Sequence, residues 1–146
     1  MEKYNLNAIM FHLRTHNDAL YDTKLAPKST YITNADFKQW DYVEWFIEEC
    51  HKRGIEFHAW LNPYRISSSN ITMAQVLSKY ENYRSNPARK AENVLISTDP
   101  ASPGAILDPG RPEVKEYLEA FEMAKKSGES SVEEEIYWCG SDTKLS

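Results

Sequence analysis

Gly54-Ile55-Glu56-Phe57-His58-Ala59-Trp60-Leu61-Asn62-Pro63-Tyr64-Arg65 is the stretch that decides the fold. Side chains alternate across a strand, so Ile55, Phe57, Ala59 and Leu61 share one face and Glu56, His58, Trp60 and Asn62 the other. An apolar face suits helices packed outside a barrel, and a polar, aromatic face suits its lumen. The cluster from Asn62 to Arg65 then falls at the strand's C-terminal end, where barrel enzymes carry their chemistry.

Upstream of this strand the chain marks a helix from Asp41. Asp41 with Glu44 has the spacing of a capping box, and Trp40 can staple onto Trp45 across the first turn. Val43, Phe46, Ile47 and Cys50 form the apolar stripe, Lys52-Arg53 suit the C-terminal dipole, and Gly54 ends the helix. Residues 6–14, Leu-Asn-Ala-Ile-Met-Phe-His-Leu-Arg, read as an earlier strand, with Met10, His12 and Arg14 on one face. Asn17-Asp18 and Pro27 mark turns in the long connection that follows. Strand, helix and strand in this order predict a parallel βαβ unit with a right-handed crossover.

Downstream, Thr72 with Gln75 makes a second capping box, with Ile71 and Val76 as its staple, and predicts a helix to about residue 84. Residues 93–97 and 104–107 are short strand candidates. Asp108-Pro109-Gly110 is a tight turn, and Pro112 opens a helix whose stripe is Val114, Tyr117, Leu118 and Phe121. The expected architecture is α/β: three helices and two to four parallel strands, a partial (β/α)8 TIM barrel incomplete at both ends. A closed barrel takes about 250 residues. The domain is expected over residues 4–126, with an acidic, linker-like tail over 127–146.

The totals bound the function. The chain has 146 residues, room for one domain, and a net charge of −5 with no basic stripe, which argues against a nucleic-acid binder. No window reaches the roughly 18 apolar residues of a membrane span. Met1-Glu2-Lys3-Tyr4-Asn5 lacks the apolar core of a signal peptide, so an extracytoplasmic location is expected only if a longer gene supplies one. Cys50 and Cys139 have no metal or redox spacing, and packing is the expected role of Cys50.

Several motifs occur in a familiar order. Phe11-His12-Leu13-Arg14, Asn17-Asp18-Ala19-Leu20-Tyr21, the run from His51-Lys52-Arg53-Gly54 to Asn62-Pro63-Tyr64-Arg65, and Leu107-Asp108-Pro109-Gly110 with Pro112-Glu113-Val114 resemble the glycosyl-hydrolase-like 10 family. The resemblance runs from Tyr4 to Phe121 and covers the first half of that family's TIM-barrel domain. It implies glycoside hydrolysis, with bacterial cell-wall glycan as the substrate class. Two parts of the family pattern are missing: a first barrel strand upstream of Leu6, and an Asp-Gly-Ile-His-Phe-Asp-Asp-Tyr type strand that should follow the helix from Pro112. That later strand would bring paired acidic residues to the rim.

Most glycosidases use two carboxylates, about 5–5.5 Å apart when retaining and about 6.5–9.5 Å apart when inverting. The carboxylates at expected strand ends are Asp18 and Asp108. Asp18 lies in the family's Asn/Gly-Asp-Ala pattern, and an Asx-type turn residue is its alternative reading. Asp108 precedes Pro-Gly and also reads as a turn residue. Arg14, Tyr21, His58, Trp60, Asn62, Tyr64 and Arg65 are the candidate sugar-binding rim. Asn and Arg donate to sugar oxygens, and aromatic rings stack on pyranose faces. Structural ion pairs for Arg14 and Arg65, and interior filling for Trp60, are the alternatives.

His12 and His16 have the His-x-x-x-His spacing of metal-dependent polysaccharide deacetylases. Here it spans a strand end and a loop without an acidic partner motif, so neither a metal nor a cofactor is expected. A different class of reading also stands. Without the second carboxylate the chain would be a non-catalytic remnant that binds sugar or a partner, and unclosed barrel edges would favour self-association.

Overall fold

The computed structural model describes residues 5–127, with side chains to Glu119. Residues 128–146, which hold nearly all of the expected acidic tail and Cys139, lie outside the described residues, as does the side chain of Phe121. The architecture is mixed α/β in two parts, each with its own apolar core.

The first part is the expected βαβ unit. Strand β1 (Ala8–Arg14) runs parallel to β2 (Glu56–Leu61), in register from Ala8 opposite Glu56 to His12 opposite Trp60. Helix α1 (Tyr42–His51) crosses between them. The Asp41 carboxylate accepts from the Val43 and Glu44 amides at 3.0 and 3.1 Å. The cap therefore forms by Asp41 alone, without a returning bond from Glu44. Trp40 and Trp45 meet edge to face at 5.8 Å, the predicted staple. Gly54 ends the turn after α1 with φ +63°, a conformation that costs residues with a Cβ.

Leu13, Val43, Ile47, Cys50, Ile55, Phe57 and Ala59 form the core of this part. The apolar face read from β2 is the buried one, and Glu56 and Trp60 on the other face are exposed. β1 departs from simple alternation. Its pairing shifts between His12 and Arg14, and both Leu13 and Arg14 are buried, at 0% and 1% exposure. This β-bulge turns Arg14 away from the face it was expected to share with Met10 and His12.

The second part corrects the expectation of parallel strands throughout. Strands β3 (Arg65–Ser67), β4 (Val94–Ile96) and β5 (Ala105–Leu107) form a separate sheet in the order β3-β5-β4, with both pairings antiparallel. The reason lies in the connection: residues 97–104 are too few to carry the crossover a parallel pair needs, and they turn β4 straight back onto β5. Helix α2 (Met73–Tyr80) carries the full Thr72–Gln75 capping box and ends at Tyr80, short of residue 84. Helix α3 (Pro112–Ser127) begins at the expected proline. Ile66, Val76, Tyr80, Val94, Ala105, Leu107, Val114 and Tyr117 lie in the second core.

A buried polar network joins the two parts. Asn17 and Asn86 pair reciprocally: the Asn17 amide donates to Asn86 Oδ1 at 2.7 Å and the Asn86 amide to Asn17 Oδ1 at 3.2 Å. Tyr80 Oη donates to the Asn17 carbonyl at 2.7 Å. Arg14 donates to Asn17 Oδ1 and, at 2.9 Å, to Tyr117 Oη. Buried polar groups are tolerated when bonded in this way. The network pins the loop that carries Asp18.

Candidate functional site

The C-terminal ends of β1 and β2 and the loops after them bring together His12, Thr15, His16, Asp18, Trp60 and Asn62, with Ser68 from the loop after β3. Parallel pairing sets this convergence, because both strands run the same way and end at one edge. The Trp60 indole stacks on the His12 imidazole, with centroids 4.6 Å apart and planes inclined by 17°. One side of this aromatic pair is open, since Trp60 is 45% exposed. The Asn62 amide reaches across the strands to His12 Nε2 at 3.0 Å and to the Thr15 carbonyl at 2.9 Å.

Asp18 is buried, at 4% exposure. Its Oδ1 accepts from the His16 backbone amide at 3.2 Å and the Thr15 hydroxyl at 3.4 Å. These bonds fix its carboxylate from the chain that precedes it, whereas an Asx turn would accept from Leu20, whose amide goes to the Leu13 carbonyl instead. His16 Nδ1 lies 3.1 Å from Thr15 Oγ1, and its Nε2 lies 3.2 Å from Ser68 Oγ.

The cluster has a pronounced electrostatic character. Burial lowers the His12 pKa below the usual histidine value, and the charges of Arg65 and His16 lower it further. A backbone hydrogen bond with Arg14 and the Asp18 charge oppose this. Burial also lowers His16, with Asp18 opposing and Lys79 and Arg65 adding. Lys79 is lowered by its own burial, again opposed by Asp18. Burial raises the Tyr80 phenol well above its ordinary value, and the Asp18 charge adds to that. Asp18 is thus the carboxylate whose charge opposes the lowering of both histidines and of Lys79, while Arg65 adds to the lowering at both histidines.

The other rim candidates lie as follows. Arg14 is buried in the Asn17–Tyr117 network rather than on the rim. Tyr21 packs on the first core. His58 sits 3.0 Å from Glu56 Oε2, earlier on the open face of β2. Tyr64 is 39% exposed, and its carbonyl accepts from the Leu107 amide at 2.7 Å. Arg65 is exposed at the start of β3 and acts on both histidines. Asp108 holds its own turn, accepting from the Gly110 amide at 2.9 Å and lying 3.7 Å from Arg111 Nε. It is not among the groups that Asp18 touches.

Sequence reasoning weighed His12 and His16 only as a metal pair and passed over Thr15, Asn17, Lys79 and Tyr80. His12 carried a usable signal: it faces the same way as Met10 and sits opposite Trp60 in register. Lys79 and Tyr80 gave none, because they read as ordinary positions of an amphipathic helix. Among the described residues no three of His, Cys, Asp and Glu form a metal-binding set, and no helix is long and apolar enough to cross a membrane.

The class that the fold defines is a mixed α/β domain whose parallel βαβ unit gathers polar side chains at its strand ends. Comparison with known proteins narrows the class. The family described as Glycosyl hydrolase-like 10 matches residues 1–125, and the chain belongs to it. The chain is 32% identical over 122 residues to glycosyl hydrolase YngK of Bacillus subtilis (strain 168), covering 81% of this chain and 22% of that protein. It is 28% identical over 130 residues to glycosyl hydrolase DigH of Escherichia coli (strain K12), covering 81% of this chain and 27% of that protein. The chain therefore spans about a quarter of the length of these curated relatives.

Proposed function

We propose that the strand-end cluster is the glycan site of a glycoside-hydrolase-type domain acting on bacterial cell-wall polysaccharide, and that β1, α1 and β2 are part of a (β/α)8 barrel. The observation that carries this reading is the position of Asp18. Among the described residues Asp18 is the one buried carboxylate, and it lies in the loop after β1. Thr15 links it to Asn62: the Thr15 hydroxyl donates to Asp18, and the Thr15 carbonyl accepts from the Asn62 amide that also reaches the His12 of the open Trp60–His12 stack. Sugar recognition needs these groups together: an aromatic face for the C–H side of a pyranose, amide and guanidinium donors for its oxygens, and a carboxylate at the bond. Asp18 is the acid/base or nucleophilic carboxylate, Trp60 and Tyr64 stack, and Asn62 and Arg65 hold hydroxyl groups. The test is release of reducing ends from purified cell-wall glycan by the complete reading frame, with Asp18→Asn and Asn62→Ala compared. Loss in both variants supports the assignment, and full activity in both removes these residues from the site.

A second reading has its own observation. Among the described residues Asp18 is the one carboxylate whose charge acts on His12, His16 and Lys79, and two-carboxylate hydrolysis needs a second one about 5–9.5 Å away. In that reading the 146 residues bind glycan without cutting it. Co-sedimentation with cell-wall glycan, with no new reducing ends formed, distinguishes it from the first.

A further inference from the structure

A second aromatic surface lies just beyond this site. Trp40 is 60% exposed and Trp45 is 48% exposed, although their rings touch edge to face at 5.8 Å. Tyr42 stands beside Trp40, with centroids 6.4 Å apart. The position follows from the βαβ unit. α1 runs back against the strands, so its N-terminus lies at the end where β1 and β2 finish. A bond confirms the proximity: Tyr42 Oη donates to the Leu20 carbonyl, two residues past Asp18, and the Leu20 amide returns to the Leu13 carbonyl of β1 at 3.0 Å. Leu20, two residues past Asp18 in the same loop, is thus linked through Tyr42 to Trp40 and through Trp40 to Trp45.

The staple explains why Trp40 and Trp45 meet. It does not explain two indoles, since any apolar pair closes the turn. Between Lys38 and Trp45 the exposed apolar side chains are aromatic alone, and the exposed Lys38, Gln39 and Glu44 lie among them in sequence. A surface for an apolar peptide would carry aliphatic side chains. Indole faces with amide and charged groups alongside suit pyranose rings, whose C–H faces stack while their hydroxyls hydrogen-bond.

We propose that Trp40 and Trp45 form a distal sugar-stacking subsite that holds a glycan strand whose reacting part lies at Asp18 and Trp60. This inference rests on the glycan reading of the strand-end cluster. Its consequence is a preference for chain length: a strand long enough to reach both places gains contacts that a disaccharide cannot.

The test is isothermal titration of the full chain with glycan strands from bacterial peptidoglycan and with the disaccharide repeat cut from them. Trp40→Ala, Trp45→Ala and Trp40→Tyr are compared with Trp60→Ala, and thermal melting confirms folding of each. The expected result is a loss of strand affinity of roughly threefold to tenfold in each alanine variant at the distal surface, with disaccharide affinity unchanged. Trp40→Tyr recovers most of the loss, and Trp60→Ala weakens both ligands. Equal strand affinity in all distal variants overturns the subsite while leaving the Asp18 site standing. Equal loss for strand and disaccharide also overturns it, since that marks a general structural effect. Binding of neither ligand by the unaltered chain overturns both readings together.

Discussion

Asn62 and His12 are joined side chain to side chain across the parallel pair, with Asn62 Nδ2 3.0 Å from His12 Nε2. The same amide donates to the Thr15 carbonyl at 2.9 Å, so one residue closes the ends of both strands. An amide donating to Nε2 matches a neutral imidazole, and burial, Arg65 and His16 all favour that form.

Replacing the amide by a carboxylate reverses this preference. Asn62→Asp sets a negative acceptor where the donor stood and stabilises the imidazolium. The His12 pKa, followed by NMR titration of the ring, is expected to rise in Asn62→Asp relative to the unaltered chain. Asn62→Ala leaves the Thr15 carbonyl without its partner and is expected to cost about 1–2 kcal/mol in urea unfolding.

The two histidines also set a pH dependence of stability. Both titrate lower in the folded chain than unfolded, so across that interval the unfolded chain binds more protons and stability rises with pH. The contribution is fully present above the ordinary value of 6.5 and is lost as the pH falls below it. Glu113, lowered by its hydrogen bonds to Lys90 and Asn93, acts only below its ordinary 4.5. The melting temperature is therefore expected to fall between about pH 7.5 and about pH 5.5, and the fall to be shallower in His16→Gln. An equal slope in that variant would remove His16 from the effect.

The parts of the fold that were legible in the sequence are those set by near neighbours. The alternation from Ile55 to Leu61 names its own buried face, and the caps at Asp41 and Thr72 need only the next three residues. Arg14 was misplaced because a bulge depends on the partner strand, and β1 alone does not encode it. Antiparallel pairing of β3, β4 and β5 was missed for a related reason, since short apolar runs carry no direction. The site was half legible. Asp18, Trp60 and Asn62 announce themselves by type and position, whereas Asn17 finds Asn86 across 69 residues and Tyr117 across 100. No local pattern records such a meeting.

That distant pairing is itself testable. Asn17 and Asn86 are both almost fully buried, and removing Asn86 takes away the acceptor of the Asn17 amide and the partners that Asn86 gives the Ala88 amide and the Leu25 carbonyl. Asn86→Leu is expected to cost roughly 2–4 kcal/mol in urea unfolding, and Tyr117→Phe, which removes a partner of Arg14, about 1–3 kcal/mol. Because the network pins the Asp18 loop, Asn86→Leu should also shift the His16 ring resonances. Unchanged resonances in a folded Asn86→Leu protein would separate the network from the site.

Two glycines offer a controlled comparison for the other side of the site. Gly54 has φ +63° with open space where a Cβ would go, so Gly54→Ala is expected to cost only the backbone strain, about 1–2 kcal/mol. Gly104 has φ +147°, and a Cβ there would stand 2.5 Å from the Ser67 carbonyl oxygen. Gly104→Ala must therefore push back the segment that carries Ser68, whose hydroxyl lies 3.2 Å from His16 Nε2. Its cost should exceed that of Gly54→Ala, and it alone should move the His16 titration. If both alanine variants leave His16 titrating as before, the backbone at Ser67 yields without moving Ser68, and Gly104 serves only the β4–β5 connection.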